Sequence, residues 1–229
     1  MQYAALATDY DDTLACEGRV DASTIAALER ARAAGLRLLM VTGRVLPDLF
    51  ATFPQYSLFH HIVGENGAVS YEPRTGAQRR LAEAPPAVLL DALARANVPV
   101  FVGESIVATY EAYHDAVREA IRDLDLDWHV IFNKGSVMAL PANVTKATGL
   151  AHALEALGLT SAEIVGIGDA ENDEAFLQAC GVGVAVSNAL PSLKDLADFV
   201  TTGARGAGVT ELIDRLIAGD LAALDTHRR

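Results

Sequence analysis

The chain of 229 residues exceeds one average domain of about 150 residues and falls short of two. Hydrophobic residues make up 51% and charged residues 21%, which excludes a disordered chain and supplies ample material for a core. The 30 acidic and 18 basic side chains give a net charge of −12, a balance that argues against nucleic acid or an anionic membrane as partner. Cys16 and Cys180 fit neither a zinc spacing nor a disulfide framework, and the opening MQYAALATDYDD lacks the basic start of a signal peptide. No apolar run reaches the ~18 residues of a membrane span. A cytoplasmic location is expected.

In chain order, YAALATD (3–9) is a short apolar run emptying into acids, the pattern of a buried strand that ends in a polar loop. DASTIAALERARAAG follows as a helix, capped by Asp21 or Ser23 and stopped by Gly35. LRLLMV (36–41) is a second strand, TGR opens a short helix, and FHHIVG (59–64) is a third strand. Strand–helix alternation of this kind predicts a parallel sheet with crossover helices.

The middle changes character. Pro73 and Gly76 mark a turn, and Pro85-Pro86 opens the helix PAVLLDALARAN. VPVFVG and SIVATYE form a predicted hairpin around Gly103-Glu104; a helix over 114–125 precedes WHVIFN and SVMALP, which meet around Lys134-Gly135. Two rounds of helix, strand, strand predict an antiparallel α+β insert over 83–142. The α/β rhythm then resumes with KATGLAHALEALG, EIVGIGD, ENDEAFLQACG and VGVAVSN. A helix around 190–197, the strand FVTT and a helix from about Val209 close the chain. The expected fold class is α/β, with a parallel-sheet core of 1–82 and 143–229 interrupted by a small cap.

In such sheets ligands bind beyond the carboxyl ends of the strands. Those ends carry Asp9-Tyr10-Asp11-Asp12-Thr13, Thr42-Gly43-Arg44 and Gly168-Asp169-Ala170-Glu171-Asn172-Asp173, and Lys146 begins the helix after the insert. Residues two apart on extended backbone point the same way, so Asp9 and Asp11 can face one site while Tyr10 faces elsewhere. With Asp169 they would form an oxygen-rich pocket suited to Mg²⁺. Thr42 and the amides near Gly43 can donate to phosphate oxygens, and Lys146 can neutralise a phosphoryl group. One carboxylate could attack phosphorus, and a second two residues on could serve as acid and base. An EF-hand loop starting at Asp9 fails, because Leu14 and Val20 stand at its glycine and terminal glutamate positions.

DYDDT (9–13), Thr42, Lys146 and GDAEND (168–173) resemble the signature of the haloacid dehalogenase superfamily. ENGA (65–68), the cap placed before the lysine, and GVAVSNA (183–189) are similar to its Cof-type phosphatases. The short cap is similar in size to those of phosphoglycolate phosphatases of archaeal type and of sucrose-phosphate phosphatases. The pair Asp11-Asp12 stands where Asp-Gly is commoner. The resemblance implies Asp9 as nucleophile and Mg²⁺ ligand, and Asp11 as general acid/base that also ligates through its backbone carbonyl. It implies Asp169 as a metal ligand, Asp173 and Asn172 in support of the metal and phosphate, and Thr42, Gly43 and Lys146 on the phosphoryl group. Arg44 and Asn188 become candidates for substrate or phosphate contact.

The expected activity is Mg²⁺-dependent hydrolysis of a small phosphorylated metabolite, a sugar phosphate or a phosphoglycolate-like ester, through an aspartyl-phosphate. A phosphosugar mutase and a receiver-like phospho-aspartate signalling module are alternatives built on the same residues. A dehalogenase is disfavoured by Asp11 and the acidic cluster, and a phosphonatase by the absence of lysine from 10–60. His60-His61 point opposite ways on a strand and are not expected to bind metal, while Trp128 and the aromatics around Tyr110 and Phe132 are expected in the cap core. The sequence does not choose between monomer and homodimer.

Overall fold

The computed structural model describes residues 3–133 and 135–220. The chain opens with β1 (Ala5–Thr8), whose four residues are all buried. In α1 (Ala22–Ala33) the Asp21 carboxylate accepts the Thr24 amide at 2.7 Å, the expected cap. Gly35, at φ 91°, ends it, and the Leu36 amide reaches back to the Ala31 carbonyl at 3.0 Å, a left-handed stop that glycine permits. Next come β2 (Arg37–Val41), α2 (Leu46–Thr52) and β3 (His61–Gly64). The short helix begins at Leu46, so Thr42–Arg44 forms the loop before it rather than its first turn.

The turn at Pro73–Gly76 belongs to a hairpin, β4 (Val69–Glu72) and β5 (Ala77–Arg80), with Gly76 at φ 71°. β5 reads AQRR and is exposed throughout, so neither apolar alternation nor burial marks it in the sequence. The insert follows as α3 (Ala87–Arg95), β6 (Phe101–Val102), β7 (Val107–Tyr110), α4 (His114–Asp123), β8 (Trp128–Asn133) and β9 (Ser136–Pro141). Lys134, at the expected turn between the last two strands, lies outside the described residues. The chain then returns through α5 (Lys146–Leu157), β10 (Ile164–Gly168), α6 (Glu174–Ala179), β11 (Val182–Ala185), α7 (Pro191–Leu196), β12 (Phe199–Val200) and α8 (Gly206–Ala218).

The larger sheet has eight strands in the order β12-β11-β10-β1-β2-β3-β4-β5. Strands from β12 to β3 are parallel, and β4 and β5 add an antiparallel edge. The central strands are buried on both faces, as helices on either side of a parallel sheet require. Chain direction across the sheet reverses at β1, which pairs Thr8 with Met40 of β2 on one side and with Ile167 of β10 on the other. That reversal leaves a crevice at the carboxyl ends of β1, β2 and β10.

The second, separate sheet is antiparallel in the order β6-β7-β9-β8. Helical spacing places Leu89 with Leu93 on α3 and Val117 with Ile121 on α4, and these pack with Val107, Val137 and Ala139 into a small core of their own. Trp128 and Phe132 pack against it, whereas Tyr110 of the inner strand β7 lies exposed beside Phe101, with ring centroids 6.0 Å apart. Its strand alternates buried and exposed residues, and Tyr110 falls on an exposed position.

His60 and His61 do point to different partners. The His60 Nδ1 accepts the Leu38 amide at 3.0 Å, and the His61 Nε2 meets the Ser70 hydroxyl at 2.8 Å. Burial lowers both imidazoles below the ordinary 6.5, aided at His60 by the charges of Arg32 and Arg37. The folded protein therefore holds them neutral, and as pH falls below that value the unfolded chain binds protons the fold refuses. Urea midpoints measured from pH 7.5 down to 5 are expected to fall, and the His61→Gln variant should show a shallower decline than the parent.

Candidate active site

The parallel register places Asp9, Thr42 and Asp169 at adjacent strand ends. The Asp9 amide donates to the Ile167 carbonyl at 3.0 Å, which continues the pairing one residue past β1. The chain then curls: the amides of Leu14 and Ala15 both return to the Tyr10 carbonyl, at 3.0 and 2.8 Å. Strand alternation consequently stops at Asp9, and the carboxylates of Asp9 and Asp11 take different partners. Tyr10 turns into the core, where burial pushes its phenol up to about 12 and its hydroxyl donates to the Gly18 carbonyl.

Asp9 joins a buried group. The Lys146 ammonium, supplied by the first residue of α5, donates to Asp9 Oδ1 and to Asp173 Oδ1, both at 2.6 Å. Thr145 caps that helix and so fixes where the lysine begins. Asp173 Oδ2 accepts the amides of Asp169 and Ala170 at 2.9 and 3.0 Å, and Thr13 donates to Asp169 Oδ1 at 2.7 Å. Gly168 leaves room for this packing, since a Cβ there would lie 2.6 Å from the Asp173 carboxyl carbon. Oxygens of Asp9, Asp169 and Asp173 lie within 4.8 Å of one another.

The electrostatics of this group favour a cation. Burial drives the Asp9 carboxyl well above the ordinary 3.8; Lys146 pulls it down, while Asp173 and Asp169 push it up. Burial works against the Lys146 charge, but Asp173 and Asp9 outweigh it and hold the ammonium protonated. Three carboxylates against one ammonium leave a deficit of two charges, which a divalent cation would balance. An all-oxygen donor set buried at the strand ends suits a hard ion such as Mg²⁺.

Asp11 stands apart from the three carboxylates. Arg44 holds it in a two-pronged pair, Nε to Oδ2 at 2.8 Å and Nη2 to Oδ1 at 2.7 Å. Arg44 also donates to Asp48 and Thr52 and lies 5.2 Å over the Tyr10 ring. The Thr42 hydroxyl accepts the Arg44 amide at 3.1 Å. Gly43 lies under Asn66 and Met138, whose nearest atoms a Cβ would meet at 3.2 and 3.4 Å.

Asp12 sits at φ 60°, the left-handed region that explains why glycine is common at such a position. Here Asp12 holds that conformation with its Oδ1 2.8 Å from the Arg205 guanidinium. Asn188 braces the same loop, donating to the Asp12 carbonyl and accepting the Arg205 amide, both at 2.8 Å. Asn172 donates to Asn66 Oδ1 at 2.9 Å, and the Asn66 amide reaches Met138 Sδ at 2.8 Å. Along the chain ENGA stands only as a motif, and nothing local to it announces that Asn66 joins the core loops to the cap.

Comparison with known proteins agrees with this geometry. A family model for haloacid dehalogenase-like hydrolases matches residues 6–119 and 101–213. The phosphoglycolate phosphatase of Methanothermobacter thermautotrophicus is 32% identical over 222 residues, 93% of this chain and 98% of its own. A haloacid dehalogenase-like hydrolase of Bacteroides thetaiotaomicron superposes with a TM-score of 0.81 at 20% identity, covering 93% of this chain and 99% of that one. A subclass IIB sugar phosphatase of the superfamily superposes at 0.77 and 20%, covering 93% and 98%. This chain belongs to the haloacid dehalogenase-like hydrolase family. It is a phosphatase of that family, with the Cof-type, subclass IIB cap. Among the described residues no helix is long and apolar enough to cross a membrane.

The buried ion cluster makes Lys146 a sensitive probe. In metal-free buffer Lys146→Met leaves the carboxylates uncompensated and is expected to cost about 3–5 kcal/mol in urea unfolding. Added Mg²⁺ should stabilise this variant more than the parent, as followed by the midpoint against Mg²⁺ concentration.

Proposed function

We propose that the chain hydrolyses a small phosphorylated metabolite through a phosphoryl group carried on Asp9. The observation that carries this reading is the buried Asp9 carboxylate at the end of the central strand, bonded to Lys146 and grouped with Asp169 and Asp173. An Asp9 oxygen attacks phosphorus while the bond to the leaving oxygen breaks, and Asp11 delivers a proton to that oxygen. Water then attacks the same phosphorus, Asp11 takes its proton, and inorganic phosphate departs as Asp9 is restored. Lys146 and the Thr42 hydroxyl hold the charged phosphoryl oxygens through both steps. Gly43 allows the loop to pass beneath them.

Asp9 and Asp169, oriented by Thr13 and Asp173, would hold Mg²⁺, with the Asp11 backbone carbonyl as a further ligand. When bound, the ion supplies charge neutralisation to the phosphoryl group. Arg44 and Asn188, candidates for substrate contact by sequence, serve in this reading to hold the loop carrying Asp9 and Asp11, because their polar groups are already engaged there. Residues 83–142 act as the cap that covers the substrate and excludes water. The name of the archaeal relative supports a phosphoglycolate-like ester as the substrate, with sugar phosphates as the next class to test.

The test is phosphate release from 2-phosphoglycolate, a sugar-phosphate panel and p-nitrophenyl phosphate. Turnover is expected with Mg²⁺ and lost with EDTA. Asp9→Asn should abolish turnover, and Asp11→Asn should reduce kcat by at least about 100-fold. Phosphate migrating between sugar carbons without release would mark a mutase, and a lasting phosphoprotein without release would mark a signalling module.

A further inference from the structure

The segment Glu65-Asn66-Gly67 has a backbone that three successive residues rarely share. Their φ angles are 51°, 52° and 113°, and only the last belongs to glycine. Strain of this kind persists where the surroundings fix it from several directions, and here they do. The Glu65 amide donates to the Arg44 carbonyl and the Asn66 amide to the Thr42 carbonyl, both at 3.0 Å, so the turn is bonded to the phosphate loop itself. Gly67 presses on α5 so closely that a Cβ would lie 2.0 Å from the Thr145 carbonyl, next to Lys146.

From this base Glu65 reaches into the cap. It is a buried carboxylate, 2% exposed, and the catalytic scheme gives it no part. Oε1 accepts the Glu104 amide at 2.9 Å, and Oε2 accepts the Ser105 and Ile106 amides at 2.9 and 3.2 Å. Those three amides belong to the loop between β6 and β7. Gly103 completes the fit, because a Cβ there would stand 2.7 Å from the Glu65 carboxyl carbon. The loop is held a second time by the Ser105 hydroxyl, which donates at 3.0 Å to the Ala82 carbonyl where the chain enters the cap. Burial without partners would make such a carboxylate costly; three converging amides satisfy it and give it direction.

We propose that Glu65 is the pivot of the cap: a positioning residue that seats the 103–106 loop on the core and registers the cap against the Thr42–Arg44 loop. Neighbouring Asn66 extends the register to Met138 of β9 and to Asn172. The pivot fixes where the cap presents its leaving-group contacts, while the phosphoryl side is held by Lys146 and Thr42 irrespective of it. The proposal rests on the phosphatase reading for its kinetic consequence but not for its structural one.

The experiment compares the parent, Glu65→Gln and Gly103→Ala, the last pushing on the carboxylate from the cap side. Amide hydrogen exchange of 104–106 is measured alongside kcat and KM for 2-phosphoglycolate, or the best ester of the panel, and for p-nitrophenyl phosphate. In Glu65→Gln one carboxylate oxygen becomes an NH₂ set against at least one of the three amide donors, so exchange at 104–106 should accelerate about tenfold or more. For the metabolite KM should rise and kcat/KM fall by about tenfold, against a change under about twofold for p-nitrophenyl phosphate. Gly103→Ala should reproduce the pattern, which covers the case in which Glu65→Gln fails to fold. Equal losses on both substrates, or exchange at 104–106 unaltered in both variants, would overturn the pivot. A parent enzyme inactive on every ester would overturn the phosphatase reading, and the exchange measurement would still decide for or against the pivot.

Discussion

A single buried ammonium organises the crevice. Lys146 sits between Asp9 and Asp173, 2.6 Å from each, and its charge works against the burial that raises the Asp9 carboxyl. Its position depends on the cap for α5, on Gly67 and Gly149 letting α5 approach the turn before the insert, and on Asp173 being fixed by two backbone amides. The three side chains come from the residue just past β1, from the helix after the insert, and from the loop after β10. The fold brings these together only because chain direction reverses at the central strand. Pairing in the sheet and pairing of charges are thus one constraint seen at two scales.

The same economy appears around the Thr42–Arg44 loop. Thr42 and Arg44 present their carbonyls to the Glu65–Asn66 turn, and the Arg44 side chain pairs with Asp11. Asp11 and the Glu65–Asn66 turn therefore meet at one short stretch of chain, Thr42–Arg44. The ion pairs at its rim are partly exposed and contribute little stability singly. Their importance lies in direction: a two-pronged guanidinium leaves a carboxylate one orientation, where a lysine would leave many.

Much of this is legible in the sequence, for identifiable reasons. Apolar runs that break into acids announce strand ends, so the chain itself locates Asp9 and Asp169, and Lys146 stands out where lysines are few. The edge strand β5 is not legible, because AQRR is solvated on both faces and carries no alternation. The separation of Asp11 from Asp9 depends on a curl set by two amides on one carbonyl, which no periodicity records. Glu65 is invisible for a different reason: a single acid in a loop reads as solvated until its three amide partners, some forty positions away, are in place. Tertiary pairing of this length leaves no local trace.

The Asp12–Arg205 contact has a consequence for the order in which the molecule is completed. Asp12 is made 193 positions before its partner Arg205, which follows all the described strands of the larger sheet. The strand that leads to Asp9 likewise waits for β10 to cover its second edge. During synthesis the loop after β1 therefore lacks this partner while the insert between them gathers its own small core. The loop after β1 thus owes its final shape to a contact of long sequence separation, which can close only once the chain beyond β12 exists.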